Sequence, residues 1–410
     1  MQRKFLIILV FIPFLAFSQE KEDKIITADF SGFIRSDFWY QSRENVEALE
    51  GLFTLYPANV SLDADGKDIN AQSKVNMLAF SSRLRSKISG PNIFNAKSSA
   101  YVEADFTGTS SVTGIRLRHA FMKLNWEKTE LMIGRYWHPL FFTNSFPTVM
   151  SLNTGVPFHV FNRSPQLRLT YKLSNNLDVL AAIVYQSDYA NDGPNGKSEE
   201  YLKNSGVPDM NLQLHYSSEN VSVGIAGNYK ILQPAKTTTN LIGEQYITDE
   251  KISSYALSAN VKVNLSKFNF KTALMYGQNM TEHLLLGGYA VSDIDPVTGR
   301  EEYTPYNHLY YWANACYGKD VKIGIFAGYA KNLGTNKDVV GDIYARGDNI
   351  DILYRITPFV AYKTNNLQLS SELEYTNAAY GNIVYDNKAI VEDTKNVNNT
   401  KLTFTAVYFF

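Results

Sequence analysis

The stretch ADFSGFIRSDFWY, Ala28 to Tyr40, decides the fold. Read in steps of two, one set is Ala28, Phe30, Gly32, Ile34, Ser36, Phe38 and Tyr40. The other is Asp29, Ser31, Phe33, Arg35, Asp37 and Trp39, and it holds every charge. A β-strand sends successive side chains to opposite faces. The stretch therefore predicts a strand with one face for an apolar solvent and one for water.

The pattern repeats along the chain. In 78–88, Leu78, Phe80, Leu84 and Ile88 oppose Arg83, Arg85 and Lys87. In 98–106, Ala100, Val102, Ala104 and Phe106 oppose Tyr101, Glu103 and Asp105. In 167–173, Leu167, Leu169, Tyr171 and Leu173 oppose Arg168 and Lys172. Later segments behave alike around Lys230, Lys262, Lys271, Lys322, Arg355, Glu372 and Glu374. None of these apolar faces carries a charge. An Arg or Lys facing lipid near mid-membrane costs roughly 2–4 kcal/mol, so such faces suit a wall bathed in lipid.

Sixteen segments are expected: 28–41, 75–88, 97–108, 112–126, 130–138, 165–173, 177–188, 209–217, 220–231, 253–264, 267–278, 307–317, 321–331, 350–363, 366–376 and 400–410. In 112–126 the apolar parity switches between Leu117 and Met122, which calls for a bulge. Tight turns such as SGPN (89–92) and TNN (364–366) alternate with long connections such as 42–74 and 377–399. The expectation is an all-β, transmembrane, antiparallel up-and-down β-barrel with short periplasmic turns and long extracellular loops. An even strand number puts both termini on the periplasmic side.

The ends of the chain agree. Arg3 and Lys4 precede the apolar run Phe5 to Phe17, with a cut expected after Ser18. That is the pattern of a cleaved signal peptide, residues 1–18, too short to span a bilayer. Residues 19–410 are then one barrel domain. Removing Arg3 and Lys4 leaves 37 basic against 40 acidic residues, a net of −3, which argues against nucleic acid as a partner. The one cysteine, Cys316, has no partner for an internal disulfide.

Parity places Arg35, Arg83, Arg85, Arg116, Arg118 and Arg168 in the lumen, with Glu103 and Asp105 among the acids. Basic positions outnumber acidic ones inside, although the chain as a whole is net acidic. Arginine and lysine lining a pore favour anions. The stretch GRYWHPLFF (134–142) opens the third long connection, 139–164, which is unusually apolar. From His138 to Pro165 it has no Asp or Glu. Pro139 ends the strand because it has no N–H to donate. This connection is expected to fold inside the barrel as a constriction, with Arg135, Tyr136, His138, His159 and Arg163 beside the channel.

The order of strands, turns and loops, ending in LTFTAVYFF (402–410), resembles the 16-stranded outer-membrane porins of Gram-negative bacteria. IRLRHAFMKLNW (115–126) followed by ELMIGRYWHPLFF (130–142) is similar to a pattern shared by anion-type and dicarboxylate-type porins. The resemblance implies a passive, water-filled channel for small hydrophilic solutes, commonly trimeric. It implies a home among outer-membrane lipid and lipopolysaccharide, and recognition of Phe410 by the barrel-insertion machinery. Many porins set acids of the third loop against wall arginines; this loop has none, which sharpens the anion-leaning expectation.

Enzyme signatures are not found. None of His119, His138, His159, His215, His283 and His308 falls in an HExxH pattern, and there is no GxSxG elbow. No cofactor or metal set is expected. A different class remains open: a surface receptor or adhesin, or a subunit of an assembly or secretion machine, built on the long polar loops. Single-channel conductance separates that class from a porin.

Overall fold

The computed structural model describes residues 26–49, 51–79, 81–108 and 114–410. The expected signal peptide lies outside the described residues, as do Phe80 and the first positions of 112–126. Sixteen antiparallel strands form the wall. They are β1 (Thr27–Gln41), β2 in two pieces (Lys74–Leu78 and Arg83–Ser89), β3 (Lys97–Asp105), β4 (Arg116–Asn125), β5 (Thr129–Trp137), β6 (Arg163–Lys172), β7 (Leu177–Val184) and β8 (Asp209–Ser217). The second half is β9 (Val221–Leu232), β10 (Ile252–Leu265), β11 (Phe268–Gln278), β12 (Glu301–Gly318), β13 (Val321–Thr335), β14 (Ile350–Thr364), β15 (Leu367–Val384) and β16 (Ile390–Phe409).

Each strand pairs with the next, and β16 returns to β1 with Tyr408 opposite Ile34. The Gly32 N–H donates to the Phe410 carbonyl at 2.9 Å. A closed sheet leaves no unpaired edge, which lipid would not tolerate. The alternation holds in space. Phe30, Ile34 and Phe38 are exposed on the outer wall, while Asp37 and Trp39 are buried inside.

The bulge falls in β4. Glu103 faces His119, but Ala104 faces Leu117, so Arg118 is the extra residue. Leu117 and Met122 both stay on the exposed outer face. Arg118 and His119 are consecutive, and both are buried inside. The tight β4–β5 pair also needs Gly134, at φ +132° opposite Phe121. A Cβ there would collide with the Ala120 carbonyl. Replacing Gly134 by Val is expected to cost at least about 1–3 kcal/mol in backbone strain alone. Loss of compact mobility on unboiled gels at a lower temperature is the readout.

The wall is uneven. β3 and β5 have 9 residues each, β15 has 18 and β16 has 20. Connections expected at 279–306, 332–349 and 377–399 are therefore partly strand. β15 and β16 run on as a hairpin through 385–389, and Gly287–Ile294 pairs with both Glu301–Pro305 and Ile343–Arg346. Above the lipid no face of a strand has to meet hydrocarbon, so the strict alternation lapses, and residues such as Tyr289 and Ala290 are buried in small clusters there. Outward tyrosines are uneven too. Tyr171, Tyr216, Tyr229, Tyr255, Tyr311, Tyr329, Tyr362 and Tyr408 are exposed on β6 to β16. The outward positions of β3 to β5 hold Ala100, Val102, Ala104, Leu117, Ala120, Met122 and Ile133 instead.

The hydrophobic core sits inside the barrel. Phe141, Phe142, Leu152, Val156, Phe158, Val160 and Phe161 of the third loop pack with Phe53 and Leu55 of the first. Both sets rest on Ala226, Ala256, Ala273, Trp312, Phe326, Ala330, Leu353 and Ala378 of the tall wall, β9 to β15. Small inward side chains on those strands leave the room that the loops occupy.

Candidate functional site

The third loop starts where β5 ends. Pro139 opens a 3-10 turn, Pro139–Phe141, and the Leu140 N–H donates to His138 Nδ1 at 3.2 Å. The turn lays Phe141 on Trp137, rings 3.8 Å apart and nearly parallel. The loop then crosses the lumen and is anchored on the far side by wall charges. Arg35 Nη2 donates to the Met150 carbonyl at 2.7 Å, and Lys271 Nζ to Thr148 Oγ1 at 2.8 Å. Glu372 accepts the Met150 and Ser151 N–H groups, and Glu374 accepts Asn153 Nδ2.

Arg355 joins both loops. Its Nη1 donates to the Val156 carbonyl at 2.6 Å, and Nη2 to the Thr54 and Leu55 carbonyls at 3.0 Å each. Nε donates to Thr376 Oγ1, and Glu374 lies 3.3 Å from Nη1. Lys401 completes the first loop's attachment through the Gly51 carbonyl and Thr54 Oγ1.

With the tall wall covered, the space left lies beside β2 to β5. A cavity of about 400 Å³ is bounded by Arg83, Tyr101, Glu103, Arg118, His119, Phe121, Tyr136 and Trp137 of the wall and by Phe141, Thr143, Phe146 and Thr154 of the loop. Arg118 Nε donates to Glu103 at 2.7 Å and Nη1 to Asp105 at 3.0 Å. Arg116 binds Asp105 with two nitrogens, at 2.8 and 3.1 Å. Arg83 reaches Glu103 only at 4.0 Å, and its Nε has no hydrogen-bond partner. Larger recesses, about 760 and 720 Å³, are lined chiefly by outward apolar side chains of β5 to β12 and face lipid.

Of the residues expected at the site, Arg83, Glu103, Arg118 and Tyr136 share this cavity, with Asp105, Arg116 and Arg85 adjoining through the β2–β3–β4 pairings. Arg35 is engaged with Asp37 and the loop. Arg168 donates to the Trp137 carbonyl and stands over the Tyr136 ring. Arg163 is wholly buried against Trp137, Phe161 and Tyr189, with Nε and Nη1 unpartnered. Arg135 does not join them: it faces outward opposite Ala120 and makes a bidentate pair with Asp188 at 2.6 Å. His138 is buried 3.4 Å from Asp209 and against the His283 ring. His159 lies between Phe141 and Trp312, and burial pushes its pKa down to about 4, so it is neutral at pH 7.

Sequence reasoning missed the aromatic lining. Tyr101 stacks on Phe121 at 5.3 Å, and Phe121 meets Tyr136 edge-on at 4.8 Å. It also missed that Arg355, Glu372, Glu374 and Lys401, which parity does turn inward, serve the loops.

No family model matches the chain, and neither does any curated protein sequence. Solved structures do match. The outer-membrane channel DcaP of Acinetobacter baumannii aligns over 94% of this chain and 97% of its own, with 14% identity and a TM-score of 0.67. The chain has the outer-membrane porin fold. An anion-selective porin from Comamonas acidovorans shares this fold, covering 94% of this chain and 100% of its own, with 8% identity and a TM-score of 0.56. So does OmpT of Vibrio cholerae in a trimer form, covering 94% and 99%, with 11% identity and a TM-score of 0.56. A porin fold whose outer face is apolar through its middle belongs in the outer membrane of a Gram-negative bacterium.

Proposed function

We propose that this porin-fold barrel is a passive diffusion channel for small hydrophilic solutes, leaning to anions, and not an enzyme. The lumen cavity carries the reading: five arginines, Arg83, Arg85, Arg116, Arg118 and Arg163, gather around it against Glu103 and Asp105. Close to the low-dielectric wall that excess attracts anions and repels cations. The third loop, 139–164, is its constriction, and its freedom from acids leaves the excess uncompensated. Assembly as a homotrimer is part of the proposal, supported by the trimer form of OmpT, a solved outer-membrane protein with this fold.

Reversal potentials in a potassium chloride gradient test it. The expected sign is chloride over potassium. Replacing Arg83 and Arg85 together by Gln is expected to lower the chloride preference, and more at low salt, where the Debye length grows toward about 30 Å at 0.01 M. Cation preference in the parent protein, or no single-channel steps at all, overturns the proposal. The second outcome would favour a receptor or assembly barrel.

A further inference from the structure

The cavity has a second character besides charge. Its rings form an unbroken series across the site. Phe146 lies 5.4 Å from Phe141, Phe141 stacks on Trp137, and Trp137 meets His119 at 5.3 Å. His119 meets Tyr136 at 5.1 Å, and Phe121 and Tyr101 continue the series. Tyr101, Phe121, Tyr136 and Phe146 keep part of their surface uncovered. A plain water-filled passage has no use for such a surface, because it adds apolar contact where a hydrated ion gains nothing.

The polar groups of the same cavity are of both kinds. Arg83 and Arg118 donate, Glu103 accepts, and Thr143 and Thr154 can do either. His119 Nδ1 is buried with no partner. Of the two arginines in the lining itself, Arg118 is tied to Glu103 and Asp105, which leaves the Arg83 guanidinium for a solute carboxylate. A partner for the mixed donors and acceptors must carry hydroxyl groups, and a partner for the rings must offer a flat C–H face.

We infer that the cavity is a binding site for a monocarboxylic sugar acid of the hexuronate class, with the carboxylate at Arg83 and the pyranose ring over Phe121 and Tyr136. The inference rests on the anion-leaning channel reading and deepens it. Arg83 is the group free to take the carboxylate, since Arg118 is engaged by Glu103 and Asp105. Its planar fork suits that partner. A cavity of about 400 Å³ has room for one or two sugar rings and excludes a longer folded chain.

The test is calorimetric titration of the full-length, detergent-folded protein with D-glucuronate, D-glucose and benzoate. Glucuronate is expected to bind at least about tenfold more tightly than either of the others, a difference equivalent to one charge-assisted hydrogen bond. Glucose lacks the charge and benzoate lacks the hydroxyls. Arg83→Gln is expected to weaken glucuronate by about tenfold or more and leave glucose unchanged. Phe121→Leu, which keeps an apolar side chain but removes the flat face, is expected to weaken glucuronate and glucose alike. Arg83→Lys retains charge and guards against a folding artefact; its glucuronate affinity should lie between those of the parent and Arg83→Gln. Glucuronate binding no tighter than glucose or benzoate, or unchanged in both Arg83→Gln and Phe121→Leu, overturns the inference. Reversal potentials on the same preparation keep the two readings apart. Chloride preference without glucuronate selectivity sinks the sugar-acid site alone, and cation preference sinks the channel reading whatever the titration gives.

Discussion

Replacing Arg355 by Ala is expected to release both lumenal loops together, raising single-channel conductance and lowering the stability of the barrel. The side chain is 1% exposed and bridges the third loop at Val156, the first loop at Thr54 and Leu55, and the wall at Thr376. Its removal strands three carbonyl groups and leaves Glu374 buried without the guanidinium 3.3 Å away. Breaking a buried pair by deleting one partner costs about 3–5 kcal/mol. Release of the loops should show as larger and noisier current steps, together with a lower temperature for loss of the compact gel form. An unaltered current with a lowered melting temperature would mean that the loops keep their place without Arg355.

The second large effect is expected at Gly328. This residue lies on the inward face of β13, directly under the Phe158 ring. A Cβ at this position would run into that ring. Gly328→Val should therefore push the third loop off the tall wall and into the remaining passage. Overpacking of this kind costs about 1–3 kcal/mol. The conductance should change, and Phe158→Ala in the same chain should restore it by giving back the volume. A coupling of at least about 0.5 kcal/mol between the two substitutions would follow from their direct contact. Additive effects would show that the loop does not rest on β13.

Much of the barrel was legible because lipid imposes a rule that water does not. Every wall strand inside the apolar band had to alternate, and all sixteen segments stand where the alternation places them. Where the rule lapses, legibility lapses. The upper halves of β15 and β16, NAAYGNIV and IVEDTKNVNN, have no lipid against them, lose the strict alternation and read as loop. The bulge at Arg118 is visible as a change of apolar parity in β4, but parity alone does not say which residue is the extra one. Past the bulge, Phe121 turns inward, and without that step the aromatic side of the cavity cannot be assembled from sequence.

The lumen was legible only as a set of inward charges. Parity gives direction, not partner. Arg355 and Arg83 look equivalent in sequence, yet one is tied to two loops and the other is left nearly unpaired. The difference comes from how the first and third loops fold back, over distances of some two hundred to three hundred residues along the chain, as in Arg355 to Val156 and Arg355 to Thr54. His138 is a similar case. Its place beside β5 suggested the channel, but its imidazole faces Asp209 and His283 away from the cavity.

The unequal height of the wall has a consequence for the lipid itself. At about 3.3 Å per residue and a tilt of about 40°, a strand as short as β3 or β5 reaches barely 23 Å along the membrane normal. The tall strands exceed the hydrocarbon layer by a wide margin. A solitary barrel would pinch the bilayer thin along the flank of short strands, β3 to β8, of which β3 to β5 have no outward tyrosine to settle at the headgroups. Each ångström of such mismatch costs a fraction of a kcal/mol. That elastic cost would fall if thin flanks faced one another, so the shape of the cylinder would reward the homotrimer proposed above for packing thin side to thin side.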